Sequence, residues 1–248
     1  MIRVIDLHKS FGFQQVLKGV NLDLETGKIT TIIGGSGSGK TVLLKHLNAL
    51  ILPDRGSVLV DGVDITKIGE SALNNIRQKF GVLFQGAALL DSMTIYDNVA
   101  FPLREKTKLS EDEIRRKVEQ QLIHVGLQGA GYKYPDEVSG GMKKRAGLAR
   151  ALVMEPEIVL FDEPTTGLDP LLGKSIHELI RKMHGAFGFT GVIVSHDIPE
   201  VFKISDRVAM LANGVIAEIG ATQEFLVSQN PIARQFIRGE TEGPLTVL

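Results

Sequence analysis

The pattern of apolar and polar positions is strand-like at the start of the chain. Two alternating stretches, residues 1–11 and 16–28, are typical of β-strands joined by a turn at Gly12. Residues 56–65 predict another strand pair, which turns at an Asp-Gly dipeptide. The pattern therefore predicts an antiparallel β subdomain in the amino-terminal part of the chain.

Further along the chain, apolar runs of strand length alternate with helical patterns. This alternation is typical of an α/β fold with a mainly parallel sheet. A final hairpin is predicted to turn at Asn213, and residues from Ala221 predict a helix with an irregular end. The apolar runs that predict buried or partly buried strands are 29–33, 80–85, 157–164 and 190–197.

The segment from residue 86 to about residue 155 predicts a helical insertion. Within it, residues 110–126 place apolar side chains on one helical face. Ser110 precedes this helix and Glu113 stands three residues later, as in a capping box. The helix is therefore expected to begin at this pair.

A glycine-rich stretch separates the strand 29–33 from the helix that follows it. The spacing of Gly34, Gly39, Lys40 and Thr41 matches the phosphate-binding loop of a P-loop NTPase core. In such a loop the backbone amides surround phosphates, the lysine reaches the outer phosphates and the hydroxyl binds Mg²⁺. The alternative is a flexible connection without a ligand. The residues expected to bind nucleotide here are Gly34, Gly35, Ser36, Gly37, Ser38, Gly39, Lys40 and Thr41.

Two adjacent acids, Asp162 and Glu163, follow an apolar strand. Open α/β sheets bind ligands at the carboxyl ends of their strands, which is where these acids are expected. Asp162 is suited to Mg²⁺, and Glu163 to polarising the water that attacks a γ-phosphate. The alternative is a pair of acids that only ends a strand.

A second candidate anion site lies where Ser139 precedes Gly140 and Gly141. The serine can cap a helix, and the glycines leave backbone amides exposed beside it. Gln85 and His196 also follow predicted strands, although each is a weak signal by itself. One chain thus carries two candidate phosphate-binding helix starts.

Composition narrows the class of protein. The 248 residues are 43% hydrophobic and 23% charged, as in ordinary globular proteins, and the absence of cysteine excludes disulfides. A net charge of -1 disfavours nucleic acid as a partner, so Lys143, Lys144 and Arg145 are interpreted as a solvated helix face. No apolar run approaches the roughly 18 residues of a membrane-spanning helix, and no signal peptide is evident. A membrane role would therefore require a partner.

These motifs together resemble the nucleotide-binding subunits of ABC transporters. The resemblance covers residues 1–240, expected to form a single ATPase domain with a helical subdomain at about 86–155, and leaves a tail at 241–248. It implies that residues 34–41 are the Walker A loop, and that two such subunits pack head to tail as a homodimer. In that dimer the signature residues of one subunit close on the ATP of the other. The signature residues implied are Ser139, Gly140, Gly141 and Met142.

The same resemblance implies roles for single residues. Phe11 resembles the aromatic that stacks on adenine, and Asp169 resembles the D-loop aspartate. The implied catalytic residues are Glu163, His196 and Gln85, and the implied ligands of Mg²⁺ are Thr41, Gln85 and Asp162. ATP and Mg²⁺ are therefore the expected substrate and cofactor.

A narrower resemblance is to the Mla/Mce-type phospholipid transport ATPases of bacteria. It rests on Met142, on the stretch 87–105 and on the tail region, where Gln235 and Phe236 look like part of a docking segment. It implies a motor at the cytoplasmic face of the inner membrane. The implied partners are an integral membrane permease, a small accessory subunit and a substrate-binding protein.

Other functions stay open at this point. An importer ATPase for a small polar solute would carry the same motor motifs. A soluble ABC ATPase of DNA repair or translation would have a long coiled-coil arm or tandem ATPase units, whereas the signature occurs once here. A GTPase or small-molecule kinase is disfavoured because no Asn-Lys dipeptide is present for guanine recognition.

Overall fold

The structure is a computed structural model that describes residues 1–245, and these form two compact units. The first unit combines Met1–Gln78 with the chain from Thr190 onward. The second unit is Lys79–Phe189. The second unit thus interrupts the first in sequence, and each unit holds part of the predicted chemistry.

The strands follow the predicted order along the chain. The strands of the first unit lie in two segments of the chain, one before and one after the second unit. The strands are β1 (Ile2–Phe11), β2 (Gln14–Leu24), β3 (Ile29–Ile33), β4 (Arg55–Val60), β5 (Val63–Asp64), β6 (Phe80–Leu83), β7 (Ile158–Asp162), β8 (Thr190–Val194), β9 (Arg207–Ala212) and β10 (Val215–Ala221).

Helices connect these strands, and the longer ones lie in the second unit. Short 3-10 turns also occur at Pro135–Glu137 and Glu200–Lys203. The helices are α1 (Lys40–His46), α2 (Glu70–Arg77), α3 (Ile95–Lys106), α4 (Glu111–His124), α5 (Gly140–Leu152), α6 (Pro170–Phe187), α7 (Thr222–Leu226) and α8 (Pro231–Arg238).

The first unit contains two sheets. One has the order β2-β1-β4-β5 with antiparallel pairs, which confirms the predicted amino-terminal subdomain. In the other, β3 pairs in parallel with both β8 and β9, and β10 pairs antiparallel to β9. All five residues of β3 are buried, as its apolar sequence predicts. The glycine-rich loop begins directly after this strand.

The second unit contains the parallel pair β6 and β7 together with helices α3 to α6. The predicted capping box of α4 is present: Glu113 donates its amide to the Ser110 hydroxyl over 3.4 Å and accepts the Ser110 amide over 2.8 Å. The strand predicted over 80–85 ends at Leu83, so the predicted end was two residues too far. The α/β fold with parallel pairing and a helical insertion is confirmed.

The predicted division at residue 240 stays a prediction. Residues 241–245 are described, whereas residues 246–248 of the predicted tail lie outside the described residues. None of the helices in residues 1–245 combines the length and the apolar character needed to cross a membrane.

Candidate nucleotide site

The phosphate loop (residues 34–41) joins β3 to α1 in the first unit. Gly37 and Gly39 adopt positive φ angles of 73° and 99°, which favour glycine. A Cβ atom at Gly39 would lie 2.7 Å from the Val16 side chain, and one at Gly34 would lie 2.3 Å from the Leu211 carbonyl oxygen. The backbone here is therefore packed too closely for larger residues.

Replacing Gly34 with alanine is expected to lower the free energy of unfolding by about 2 to 4 kcal/mol, because the new methyl group would collide with backbone. Gly35→Ala is the matched control, since a Cβ there meets nothing within 4 Å. The free energy of unfolding of Gly35→Ala should stay within about 0.5 kcal/mol of the wild-type value. Urea unfolding without nucleotide measures both, and equal stability of the two variants would contradict the close packing at Gly34.

Lys40 is buried at the start of α1 and extends across the phosphate loop. Its Nζ donates to the carbonyl oxygens of Gly34 and Gly35 over 2.9 and 3.0 Å. The Ser38 hydroxyl oxygen is buried without a hydrogen-bond partner, an arrangement that folded proteins rarely leave uncompensated. An anion in the loop would supply a partner, so the loop fits a phosphate group.

Phe11 lies at the end of β1, in the same unit as the phosphate loop. Its side chain is 49% exposed, and the Lys9 ammonium lies 5.6 Å from the ring centroid. Lys9 is held in turn by Asp54, whose other carboxylate oxygen accepts the Ser10 amide over 2.6 Å. An exposed aromatic face on an anchored strand end can stack on a flat ring.

A cavity of about 770 Å³ lies beside the phosphate loop. Loop residues 35–38 form part of its wall, and the β9–β10 turn at 211–214 forms another part. The rest comes from Gln15, Val16 and Lys18 of β2 and from the C-terminal segment (residues 235–245). The segment that resembled a docking element thus shares a cavity with the phosphate loop.

The Gln235 side chain holds this C-terminal segment in place. It is 3% exposed, it donates to the carbonyl oxygens of Glu240 and Leu245, and it accepts the Leu245 amide over 2.7 Å. The described part of the segment is therefore folded against its own chain. His196 lies two residues beyond β8 and is exposed.

In the second unit, β7 is buried along its whole length and ends at the buried Asp162. Glu163 follows with a φ of +51°, a left-handed conformation that is uncommon outside glycine. The left-handed turn at Glu163 therefore sets the direction of the second acidic side chain. The Thr166 hydroxyl donates to its carboxylate over 3.0 Å.

Lys144 of α5 links two of the predicted residues within the second unit. Its Nζ donates to the Gln85 carbonyl oxygen and, over 3.3 Å, to the Glu163 carbonyl oxygen. Burial lowers the pKa of the Lys144 ammonium below its usual range, and the charges of Asp162 and Glu163 oppose that shift. Gln85, two residues beyond β6, is exposed.

The interpretation of the basic cluster as a solvated face is wrong. Lys144 is only 5% exposed, and Arg145 donates to the Val125 carbonyl oxygen over 2.8 Å. The helical period could have revealed this, because Lys144 lies one turn from the buried Leu148 and Gly141.

The signature segment (residues 139–142) begins α5. The Ser139 hydroxyl accepts the Met142 amide over 3.3 Å, which confirms the predicted cap. Asp169 caps α6 and accepts the amides of Leu171 and Leu172 over 3.0 and 3.1 Å. A methyl group at Gly141 would lie 3.6 Å from Leu172, so the two helix starts are neighbours within the second unit.

The residues of the predicted nucleotide site thus occur in both units. The family model described as "ABC transporter" matches residues 17–166, more than half of the chain. The chain belongs to the ABC transporter family. As an ABC ATP-binding protein it is an ATPase, and such cassettes act as dimers with membrane permease partners.

Relatives within this ABC family cover nearly the whole chain. A probable ribonucleotide transport ATP-binding protein of Mycobacterium leprae is 45% identical over 98% of this chain and 70% of its own length. An intermembrane phospholipid transport ATP-binding protein of Haemophilus influenzae is 41% identical over 99% of this chain and 93% of its own length. The solved dimeric cassette MJ0796, bound to ADP and Pi, has a TM-score of 0.82 and 31% identity, covering 90% of this chain and 99% of that one.

Proposed function

We propose that this ABC ATPase drives phospholipid movement between bacterial membranes, at the cytoplasmic face of the inner membrane. The observation that carries the proposal is its 41% identity with the intermembrane phospholipid transport ATP-binding protein of Haemophilus influenzae, which extends over 93% of that protein. Met142 in the signature segment and the C-terminal segment add support. No nucleic acid is involved.

ATP binds in the first unit in this proposal. Adenine stacks on Phe11, and the amides of residues 34–39 surround the phosphates together with the Ser38 hydroxyl. Lys40 contributes a positive charge from a buried position, where an ionic hydrogen bond to phosphate is stronger than at an exposed surface.

The Mg²⁺ ligands in this proposal are the Thr41 hydroxyl, the Gln85 amide oxygen and the Asp162 carboxylate. These are hard oxygen donors, the kind that Mg²⁺ prefers alongside substrate phosphates. Within residues 1–245, no three His, Cys, Asp or Glu side chains gather into a metal site. When bound, Mg²⁺ neutralises charge on the phosphate oxygens.

Glu163 is the proposed catalytic base. Its carboxylate accepts a proton from the attacking water as the water oxygen bonds to the γ-phosphorus and the bond to ADP breaks. His196 and Gln85 assist at the γ-phosphate. Ser139 to Met142 and Asp169 act across a homodimer, on ATP held by the partner subunit's phosphate loop.

The full assembly is proposed to include an integral membrane permease, a small accessory subunit and a substrate-binding protein. The competing function is ATP-driven uptake of a small polar solute. The Mycobacterium leprae relative favours ribonucleotide as that solute, since its name assigns it to probable ribonucleotide transport.

The cargo can be tested by purifying this chain with its native membrane partner and placing the complex in vesicles. Labelled phosphatidylglycerol and labelled AMP are the two cargo probes. We expect ATP-dependent transfer of the lipid to acceptor vesicles and no accumulation of AMP. The same complex with Glu163→Gln is the control, and it should lose the ATP-dependent transfer of lipid. AMP uptake without lipid transfer would contradict the lipid assignment.

A further inference from the structure

Lys144 is a buried lysine that the proposed chemistry leaves without a role. It lies on α5, five residues beyond Ser139, and its single ammonium group donates to the carbonyl oxygens of both Gln85 and Glu163. We propose that Lys144 is a positioning residue, which holds the catalytic carboxylate of Glu163 and the glutamine loop (residues 85–88) in register with the signature segment. The proposal rests on the proposed role of Glu163.

The backbone of the glutamine loop needs external support. Ala87 and Ala88 have φ angles of +60° and +48°, left-handed conformations that persist in non-glycine residues only where the surroundings hold them. Arg150 of α5 donates to the carbonyl oxygens of both alanines over 2.7 Å. Lys144 provides the corresponding bond at Gln85, so α5 binds the loop at both ends.

Close packing also fixes the distance between α5 and the glutamine loop. A Cβ atom at Gly147 would lie 2.8 Å from the Leu83 side chain and 3.1 Å from the Ala87 side chain. Gly147 stands between Lys144 and Arg150 along the helix. A shift of α5 would therefore also displace the glutamine loop.

Glu163 needs support of the same kind, because its backbone also adopts a left-handed conformation. Its carbonyl oxygen accepts the Thr166 amide over 3.3 Å and the Lys144 ammonium over 3.3 Å. A carbonyl held by two donors fixes the peptide plane, and the direction of the carboxylate depends on that plane. Lys144 thus constrains where Glu163 can present its carboxylate.

Burial and charge make the Lys144 ammonium well suited to this role. The side chain is 5% exposed, and it lies near the negative charges of Asp162 and Glu163. A buried ammonium must keep hydrogen-bond acceptors, so it resists exchange of these carbonyl oxygens for water. The two contacts are therefore expected to persist through the catalytic cycle.

The test replaces Lys144 with methionine, which keeps much of the length and removes the donors. We expect kcat for ATP hydrolysis to fall about 10- to 100-fold in the complex with the native membrane partner, because misplaced catalytic groups lose rates of that order. ATP affinity, measured with a fluorescent ATP analogue, should change less than about 3-fold, since the phosphate loop is untouched. Lys144→Arg keeps hydrogen-bond donors, so its kcat should be within about 5-fold of the wild-type value.

Two comparisons separate positioning from a merely structural role. Lys143→Met makes the same change at the preceding residue of α5, about 100° around the helix, and should leave kcat within about 2-fold. In a Glu163→Gln background, Lys144→Met should lower the single-turnover rate less than about 3-fold, since residues that act as a unit are not additive. If each substitution instead lowers the single-turnover rate by its full factor in the double variant, the proposal is wrong.

The outcomes also distinguish this inference from the proposed function. If Glu163→Gln alone keeps normal turnover, the proposed catalytic role of Glu163 is wrong. If Glu163→Gln is inactive while folded Lys144→Met keeps normal kcat, only the positioning role is wrong. If Lys144→Met does not fold, Lys144→Leu, which also removes the donors but has a shorter side chain, replaces it, and normal kcat in that variant overturns the proposal.

Discussion

Replacing Lys40 with alanine is expected to weaken ATP binding by about 100-fold, which corresponds to about 3 kcal/mol at 25 °C. The side chain is buried and its ammonium group crosses the phosphate loop to the carbonyl oxygens of Gly34 and Gly35. The substitution therefore removes both a charge for the outer phosphates and two bonds that shape the loop. Equilibrium binding of a fluorescent ATP analogue measures the loss.

Lys45→Ala is the matched control for this experiment. Lys45 lies on the same helix and is half-buried, but it is not among the residues proposed to bind nucleotide. Its replacement should change ATP affinity less than about 2-fold. Near-normal affinity in a folded Lys40→Ala variant would contradict the phosphate-loop assignment.

Replacing Glu163 with glutamine is expected to lower ATP turnover by about 1,000-fold, because general base catalysis contributes roughly that much. Glutamine keeps an oxygen that can accept the Thr166 hydroxyl, so the local turn should persist. ATP affinity should stay within about 3-fold. With hydrolysis blocked, ATP should hold two subunits together as a dimer.

Phosphate release and size-exclusion chromatography with Mg²⁺ and ATP measure the two effects of Glu163→Gln. Glu157→Gln is the control, since Glu157 precedes β7 and forms an exposed pair with Lys79 over 3.2 Å. It should keep normal turnover. A monomeric Glu163→Gln variant with continued turnover would show that another group activates the water.

Much of the fold could be predicted because its signals are local. A run of five buried residues at β3, the Ser110 and Glu113 capping box, and the turn at Asn213 each depend on a few neighbouring side chains. The helix that begins after Ser139 was predictable for the same reason. Such elements need no knowledge of the rest of the chain.

The missed features depend on contacts between distant parts of the chain. The bond from Lys144 to Gln85 spans 59 residues, and the bond from Arg150 to Ala87 spans 63. Sequence pattern alone cannot show which carbonyl oxygen a buried lysine will reach. The left-handed turn at Glu163 was missed because acidic residues adopt that conformation only when their surroundings impose it.

The placement of the C-terminal segment affects how recombinant versions of this chain should be made. A purification tag joined directly to Leu245, the last described residue, would extend the segment that Gln235 holds and would add bulk beside the cavity that the phosphate loop lines. A tag before Met1 would instead disturb one half-exposed ion pair with Asp61. Affinity measurements on this ATPase are therefore best made with an amino-terminal tag.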